Sequence, residues 1–86
     1  MSTTRIASAA NVIVPAYLSL RQKGYSVSRA KRPAGEAWTA EKDGNTFTAD
    51  DPVALLGIVC LFETRGENWN ASDREIEEFL DTYARD

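Results

Sequence analysis

Apolar residues recur along the first quarter of the chain in a pattern that predicts a helix. We place this helix at about residues 11–23, with Pro15 in its first turn, where proline is tolerated. Gly24 follows the last periodic residue, at the left-handed position that often lies just past a helix end. Residues 1–5 precede the pattern and are expected to be flexible.

A second helix is predicted at about residues 52–65, in the stretch PVALLGIVCLFETR. Asp50 or Asp51 stands where a helix cap is needed, Pro52 takes the first helical position, and Gly66 ends the pattern. The stretch is apolar almost all round, which is typical of a helix buried on more than one side.

Two small residues inside this second helix are predicted to lie against other parts of the fold. Gly57 costs a helix about 1 kcal/mol relative to alanine, so we expect another backbone to pass close to it. Cys60 lies in the same apolar run and is expected to be a small buried side chain.

A third helix is predicted at about residues 72–84. Ser72 and Glu75 have the spacing of a capping box, which marks a helix start. Four apolar residues then share one side of the helix and supply a further apolar surface for packing: Ile76, Phe79, Leu80 and Tyr83.

Between the first two helices, alternating residues predict strands at about residues 25–32, 36–42 and 45–49. Asp43 and Gly44 form a two-residue hairpin turn of type I′ between the last two strands. The register set by this turn places four apolar residues on one face of the sheet: Trp38, Ala40, Phe47 and Ala49.

These elements predict one α+β domain over residues 1–86, with two layers and the order α-β-β-β-α-α. In this arrangement a three-stranded antiparallel meander packs against the helices. No repeat divides the chain, whose length is that of a single small domain.

The composition argues against most kinds of enzyme. The chain has no histidine, which is the commonest general base and zinc ligand, and its single cysteine cannot form an intramolecular disulfide. It has no glycine-rich phosphate loop and no cluster spaced for metal binding. We therefore expect no catalytic residues, no cofactor and no metal.

The apolar segments also bear on location. The longest, PVALLGIVCLF, is shorter than the roughly 20 residues that cross a bilayer. The N-terminal apolar run is interrupted by Ser8, Asn11 and Pro15 and lacks a signal cleavage site. A cytoplasmic protein without a membrane partner is therefore expected.

Charge is distributed unevenly along the chain. Residues 1–43 hold seven cations against three acids, a net charge of +4, whereas residues 44–86 hold three cations against ten acids, a net charge of −7. Such a division bears on partners rather than on fold. It also allows the two halves to neutralise each other across the folded surface.

A protein-interaction role fits these features best: an inhibitor, immunity protein, anti-defence protein or adaptor that binds another protein of unknown identity. Arginine and tryptophan are enriched at binding hot spots, and an acidic helix can steer association with a basic surface. The predicted contact residues lie in the loop after the second helix and on the third helix: Arg65, Asn68, Trp69, Asn70, Glu77, Glu78 and Asp81.

Two alternatives concern the apolar residues of this region. Trp69 is predicted to fold inward onto Ile76 or Phe62 as a core residue, although it can also point outward as a binding anchor. The apolar excess of the second helix can instead form a homodimer interface.

Nucleic-acid binding is the other alternative. The order helix, three strands, helix resembles that of double-stranded-RNA-binding domains, which grip phosphates with lysines at the start of the second helix. Here Asp50 and Asp51 occupy that place, which argues against nucleic acid as the partner. The cations that could form a basic patch lie earlier in the chain: Arg21, Lys23, Arg29, Lys31 and Arg32.

Overall fold

The computed structural model describes residues 3–7 and 9–83. Within them the chain forms three helices and a three-stranded antiparallel sheet of order β1-β2-β3, which confirms the predicted order α-β-β-β-α-α. The elements are α1 (Ile13–Gln22), β1 (Ser26–Arg32), β2 (Gly35–Lys42), β3 (Asn45–Ala49), α2 (Pro52–Arg65) and α3 (Asp73–Tyr83). Short 3-10 turns, Ala10–Val12 and Gly66–Asn68, precede α1 and follow α2.

The ends of the chain are described only in part. Residues 3–7 have no regular secondary structure, and the flexibility expected of residues 1–5 stays a prediction. Residues 1–2, and the predicted extension of the third helix to residue 84, lie outside the described residues.

The β2–β3 hairpin has the predicted register. Asp43 and Gly44 both adopt positive φ angles, 52° and 83°, as a type I′ turn requires. Trp38 pairs with Ala49 and Ala40 pairs with Phe47, so the four apolar residues share one face. Turn chemistry and side-chain alternation therefore specify the same pairing.

The predicted helix starts and stops are also confirmed. The backbone N–H of Ala54 donates to Asp51 Oδ1 at 2.9 Å, Pro52 is the first residue of α2, and Gly66 closes the helix with a φ of 74°. Pro15 is the third residue of α1, where no backbone N–H is needed. Gly24 follows α1 with a φ of 95°.

The core lies between one face of the sheet and helices α1 and α2. Its fully buried side chains come from both layers, and partly buried apolar residues of all three strands pack around them. The buried cluster consists of Leu20, Tyr25, Ala40, Leu55 and Val59. A two-layer domain with a small core is the result.

Helix α3 adds nothing to this core. None of its eleven residues is buried, and the substantial contacts between elements run among α1, α2 and the strands. The radius of gyration is 15.6 Å, against about 12 Å for a compact chain of this length. The third apolar helical surface predicted from the sequence exists, but it does not pack on the sheet, because α1 and α2 already cover the apolar face.

The expected close backbone contact at Gly57 is absent. A Cβ atom placed there would meet no atom within 4 Å, because Gly57 lies on the exposed outer side of α2. Cys60, expected to be buried, is half-buried. The apolar sequence of α2 therefore does not mean that the helix is covered all round.

Replacing Gly57 by alanine is expected to raise the free energy of unfolding by about 0.5–1 kcal/mol, since it removes the entropic cost of a helical glycine without a clash. Gly44→Ala is the matched control. Gly44 also has open space around it, but its φ of 83° is strained for alanine, so this change should destabilise the protein. Urea denaturation measures both, and a loss of stability in Gly57→Ala would contradict the open environment of this residue.

Candidate protein-binding surface

Helix α3 is held at its start by a capping box, as predicted. The backbone N–H of Ser72 donates to Glu75 Oε1 at 2.8 Å, and the backbone N–H of Glu75 donates to Ser72 Oγ at 3.2 Å. The hydrogen bond from Ser72 lowers the pKa of Glu75 below its ordinary value. Arg74 and Glu78 form an ion pair one turn apart, at 3.3 Å. The first turns of α3 are therefore stabilised by interactions within the helix itself.

The apolar side of this helix, here called the α3 stripe, consists of Ile76, Phe79, Leu80 and Tyr83. Ile76, Phe79 and Tyr83 are 46%, 60% and 76% exposed, and Leu80 is half-buried. The rings of Phe79 and Tyr83 lie 5.2 Å apart between centroids, so they form a paired aromatic ridge. The periodicity identified the stripe, but its exposure was not predicted.

Acidic residues border the stripe. At 100° per residue, Asp73 and Glu77 lie on one flank of the stripe and Glu75 on the other, whereas Glu78 and Asp81 lie on the opposite side of the helix. With Arg74 as its one cation, α3 has five acids and a net charge of −4. The helix thus combines an exposed aromatic ridge with a strongly negative border.

Trp69 is not a core residue, contrary to the inward orientation predicted from the sequence. It is 49% exposed and lines an open apolar groove of about 370 Å³. The indole lies beside β3 and the outer side of α2, at the edge of the core. We call this the Trp69 groove; its lining is Thr46, Phe47 and Thr48 of β3, Ile58, Leu61 and Phe62 of α2, and Trp69 itself.

The groove is built from parts of the sequence that no local pattern connects. Phe47 and Phe62 lie 5.3 Å apart between ring centroids and form its floor beside the core. Ile58 and Leu61 are 37% and 38% exposed on the outer side of α2. The apolar excess of α2, noted in the sequence, was the one signal that this surface existed.

Arg65 fixes the connection between α2 and α3. Its Nε donates to the carbonyl oxygen of Trp69 at 3.0 Å, and its Nη2 donates to that of Asn70 at 3.4 Å. The same Nη2 lies 3.6 Å from Glu75 Oε1. Asn68 and Asn70 are exposed on either side of Trp69. Arg65 therefore organises the loop internally, and its predicted contact with a partner remains a prediction.

No protein-family model, curated protein or solved structure matches the chain. Function is therefore inferred from the chemistry of its own surface. Among the residues that the structure describes, no helix has the length and apolar character that a bilayer span requires. Within residues 3–7 and 9–83, no group of three or more histidine, cysteine, aspartate or glutamate side chains could hold a metal ion.

The cations of the alternative basic patch do not form one cluster. Arg21 and Lys23 lie at the end of α1, whereas Arg29, Lys31 and Arg32 lie along β1. Because a strand rises about 3.3 Å per residue, Arg32 lies roughly 20 Å along β1 from the end nearest α1. Arg29 is also paired, with Glu36 at 3.6 Å and over the ring of Trp38 at 5.7 Å.

Lys23 belongs instead to a polar cluster that joins α1, β1 and α2. Its Nζ donates to Glu63 Oε1 at 2.8 Å, and the hydroxyl of Tyr25 donates to Glu63 Oε2 at 3.3 Å. The hydrogen bond from Lys23 lowers the pKa of Glu63 and raises that of Lys23, while burial raises the pKa of Tyr25. This cluster, between residues about 40 apart in sequence, was not predicted and serves the fold.

Because the pKa of Glu63 is lower in the folded state, its stabilising effect is present above the ordinary carboxyl value of 4.5 and is lost as pH falls through the lowered pKa. We expect Glu63→Gln to lower the melting temperature at pH 7 and to matter progressively less below about pH 4. Melting curves of both proteins from pH 3 to 7 measure this. If the difference in melting temperature between the two proteins does not change with pH, the Lys23–Glu63 ion pair does not stabilise the fold. As a control, Glu63→Gln should lower the melting temperature much less when Lys23 is also replaced by glutamine.

Proposed function

We propose that the chain is a non-enzymatic protein-interaction domain that binds a macromolecular partner, another protein, through α3 and the adjoining Trp69 loop. The observation that carries the proposal is the α3 stripe: an amphipathic helix exposes a paired aromatic ridge and buries no residue in its own domain. Monomeric proteins rarely maintain such a surface without a use for it.

The helix itself gives a reason for binding. A helix of eleven residues is marginal in water, and most helical stability in proteins comes from packing an apolar face. Here the capping box and the Arg74–Glu78 pair support α3, but the stripe packs little, with only Leu80 half-buried. Docking into an apolar groove would supply that packing, as in helix-in-groove recognition.

The acids define what the rim of such a partner surface should look like. Asp73 and Glu77 flank the stripe on one side, and Asp81 lies behind them, so a partner with cations beside an apolar groove would be attracted before contact and aligned on it. Inhibitors, immunity and anti-defence proteins and adaptors act in this stoichiometric way. A cytoplasmic location is part of the proposal.

The experiment is a comparison of two tagged baits in extract of the native host: the natural chain and Phe79→Ser/Tyr83→Ser. Both changes are at exposed positions, so the domain should remain folded. The proposal expects at least one protein, which can be the chain itself, to be retained by the first bait and absent from the second. Equal retention of every protein by both baits would contradict it.

Charge reversal on α3 is expected to slow association with such a partner. Glu77→Lys/Asp81→Lys should lower the association rate about tenfold at low salt and weaken its salt dependence, because rim charges act mainly through steering. Glu41→Lys/Asp50→Lys, which changes net charge equally at exposed positions away from α3, is the control. Stopped-flow or surface-binding kinetics distinguish them, and equal rates for both variants would show that the acids of α3 do not steer binding.

The nucleic-acid alternative has a direct test of its own. It requires measurable affinity for duplex or single-stranded nucleic acid at about 50 mM salt, lost when the cations of β1 are neutralised. The separation of the cations and the pairing of Arg29 and Lys23 with carboxylates favour a flat titration.

A further inference from the structure

The chain exposes two apolar surfaces of complementary shape. The α3 stripe is a ridge, and the Trp69 groove is a depression walled by α2 and by β3, an edge strand. Neither fills the other within one molecule, since none of the residues that line the groove belongs to α3.

The ridge and the groove also agree in length. Phe79 and Tyr83 are four residues apart, which is about 6 Å along a helix axis. Ile58 and Phe62, on the α2 wall of the groove, have the same spacing. A groove of about 370 Å³ with an aromatic floor is a suitable receptor for two paired rings.

The Arg65 contacts explain why the stripe and groove of one molecule stay apart. By holding the carbonyl oxygens of Trp69 and Asn70 and approaching Glu75, Arg65 sets the direction in which α3 leaves α2. With these contacts formed, no residue of α3 lines the groove of its own molecule. Both surfaces are then open to a second molecule at the same time.

The surface involved is large enough for a stable pair. Since a free aromatic side chain exposes roughly 200 Å², Trp69, Phe79 and Tyr83 together leave roughly 370 Å² accessible per molecule. Two molecules would contribute twice this, to which the exposed parts of Ile58, Leu61 and Ile76 are added. A reciprocal contact with its polar rim therefore approaches the 1,200–2,000 Å² of a standard interface.

We propose that the partner of the α3 stripe is a second copy of this chain, and that the third helix of each copy docks on the other, with Phe79 and Tyr83 seated in its Trp69 groove. The contact is the same in both directions, as a twofold dimer requires. The acids of α3 stay at the rim, in water. Since both copies carry them, charge does not steer this pairing, and the slower association expected of Glu77→Lys/Asp81→Lys applies only to a partner with a basic rim. This inference rests on the proposed function, because it names the protein that the α3 surface binds.

Sedimentation velocity of the full chain over a concentration series tests whether two copies dimerise through the stripe and the groove. The natural chain should dimerise reversibly. Tyr83→Glu, which alters the ridge, and Leu61→Glu, which alters the groove, should each weaken the dimer at least about 30-fold. Leu18→Glu, at a 56% exposed residue of α1 outside both surfaces, should leave it unchanged. Circular dichroism verifies that each variant is folded, and Leu61→Ala replaces Leu61→Glu if the latter is not.

A mixture of the two variants provides the decisive result. Each alone lacks an intact ridge–groove contact, but a mixed pair regains one, from the ridge of Leu61→Glu into the groove of Tyr83→Glu. The mixture should therefore form more dimer than either variant alone. Overturning results would be a natural chain that is monomeric throughout, a Leu61→Glu variant that dimerises normally, or a mixture without gain. If the natural chain is monomeric but the bait comparison still yields a stripe-dependent protein, only the identity of the partner is wrong.

Discussion

Leu55→Ala is expected to reduce the free energy of unfolding by about 2–5 kcal/mol, as large-to-small changes at fully buried sites do. Leu55 is 0% exposed and lies in the core cluster with Leu20 and Val59. A domain of 86 residues has a total stability of roughly 4–13 kcal/mol. Much of the Leu55→Ala protein should therefore be unfolded under mild denaturing conditions.

The matched controls for this change lie on the other two helices. Leu18→Ala makes the same chemical change at a 56% exposed residue of α1, and Phe79→Ala removes a larger side chain from the 60% exposed α3 stripe. Each should alter stability by less than about 0.5 kcal/mol. Urea denaturation of dilute protein compares the three. A Phe79→Ala protein as unstable as Leu55→Ala would mean that the stripe belongs to the core.

Ending the chain after Ser72 should abolish self-association and partner binding while leaving the α-β-β-β-α part folded. Helix α3 contributes no buried residue, so its removal exposes little of the core. Because the denaturant m-value scales with the surface exposed on unfolding, it should change little. Helical circular dichroism should fall by no more than the signal of eleven residues.

The same truncation has a clear contrary outcome. If the shortened chain loses its cooperative transition, α3 is required for the fold, and the division between a core domain and a binding helix is wrong. Dilute samples are needed for the comparison, since the proposed association would stabilise the natural chain by mass action.

Local chemistry accounts for the parts of the fold that the sequence predicts well. Asp43 and Gly44 accept the positive φ angles of a tight turn, and the side-chain alternation around them admits only one register. Asp51 and Gly66 likewise mark the ends of α2 through interactions within a few residues. Such features depend on neighbours in sequence and can be derived from it.

Long-range arrangement was harder to derive. Periodicity shows that α3 has an apolar side, but it does not show whether the sheet can accommodate a third helix. In the structure, α1 and α2 cover the apolar face of the sheet. The predictions for Trp69 and Gly57 were wrong for the same reason. The surroundings of both residues depend on which side of α2 faces away from the core. The pairing of Lys23 with Glu63 joins distant segments and has no local signature.

Of the candidate binding residues, Glu77, Glu78 and Asp81 follow directly from the charge pattern of the third helix. The aromatic ridge beside them was visible as a pattern but was assigned to the core. The Trp69 groove could not be derived, because it combines β3, α2 and the loop only after folding. The one sign of the groove in the sequence is that α2 has more apolar residues than a single small sheet can cover.

Amide hydrogen exchange tests most directly the central claim that α3 is a binding helix outside the core. In dilute protein, the amides of the last two turns of α3 should exchange nearly as fast as in a free peptide, while those of α2 around Leu55 and Val59 should exchange only through global unfolding. Raising the protein concentration, or adding a partner, should protect α3 selectively. Protection of α3 equal to that of α2 in dilute protein would contradict the claim.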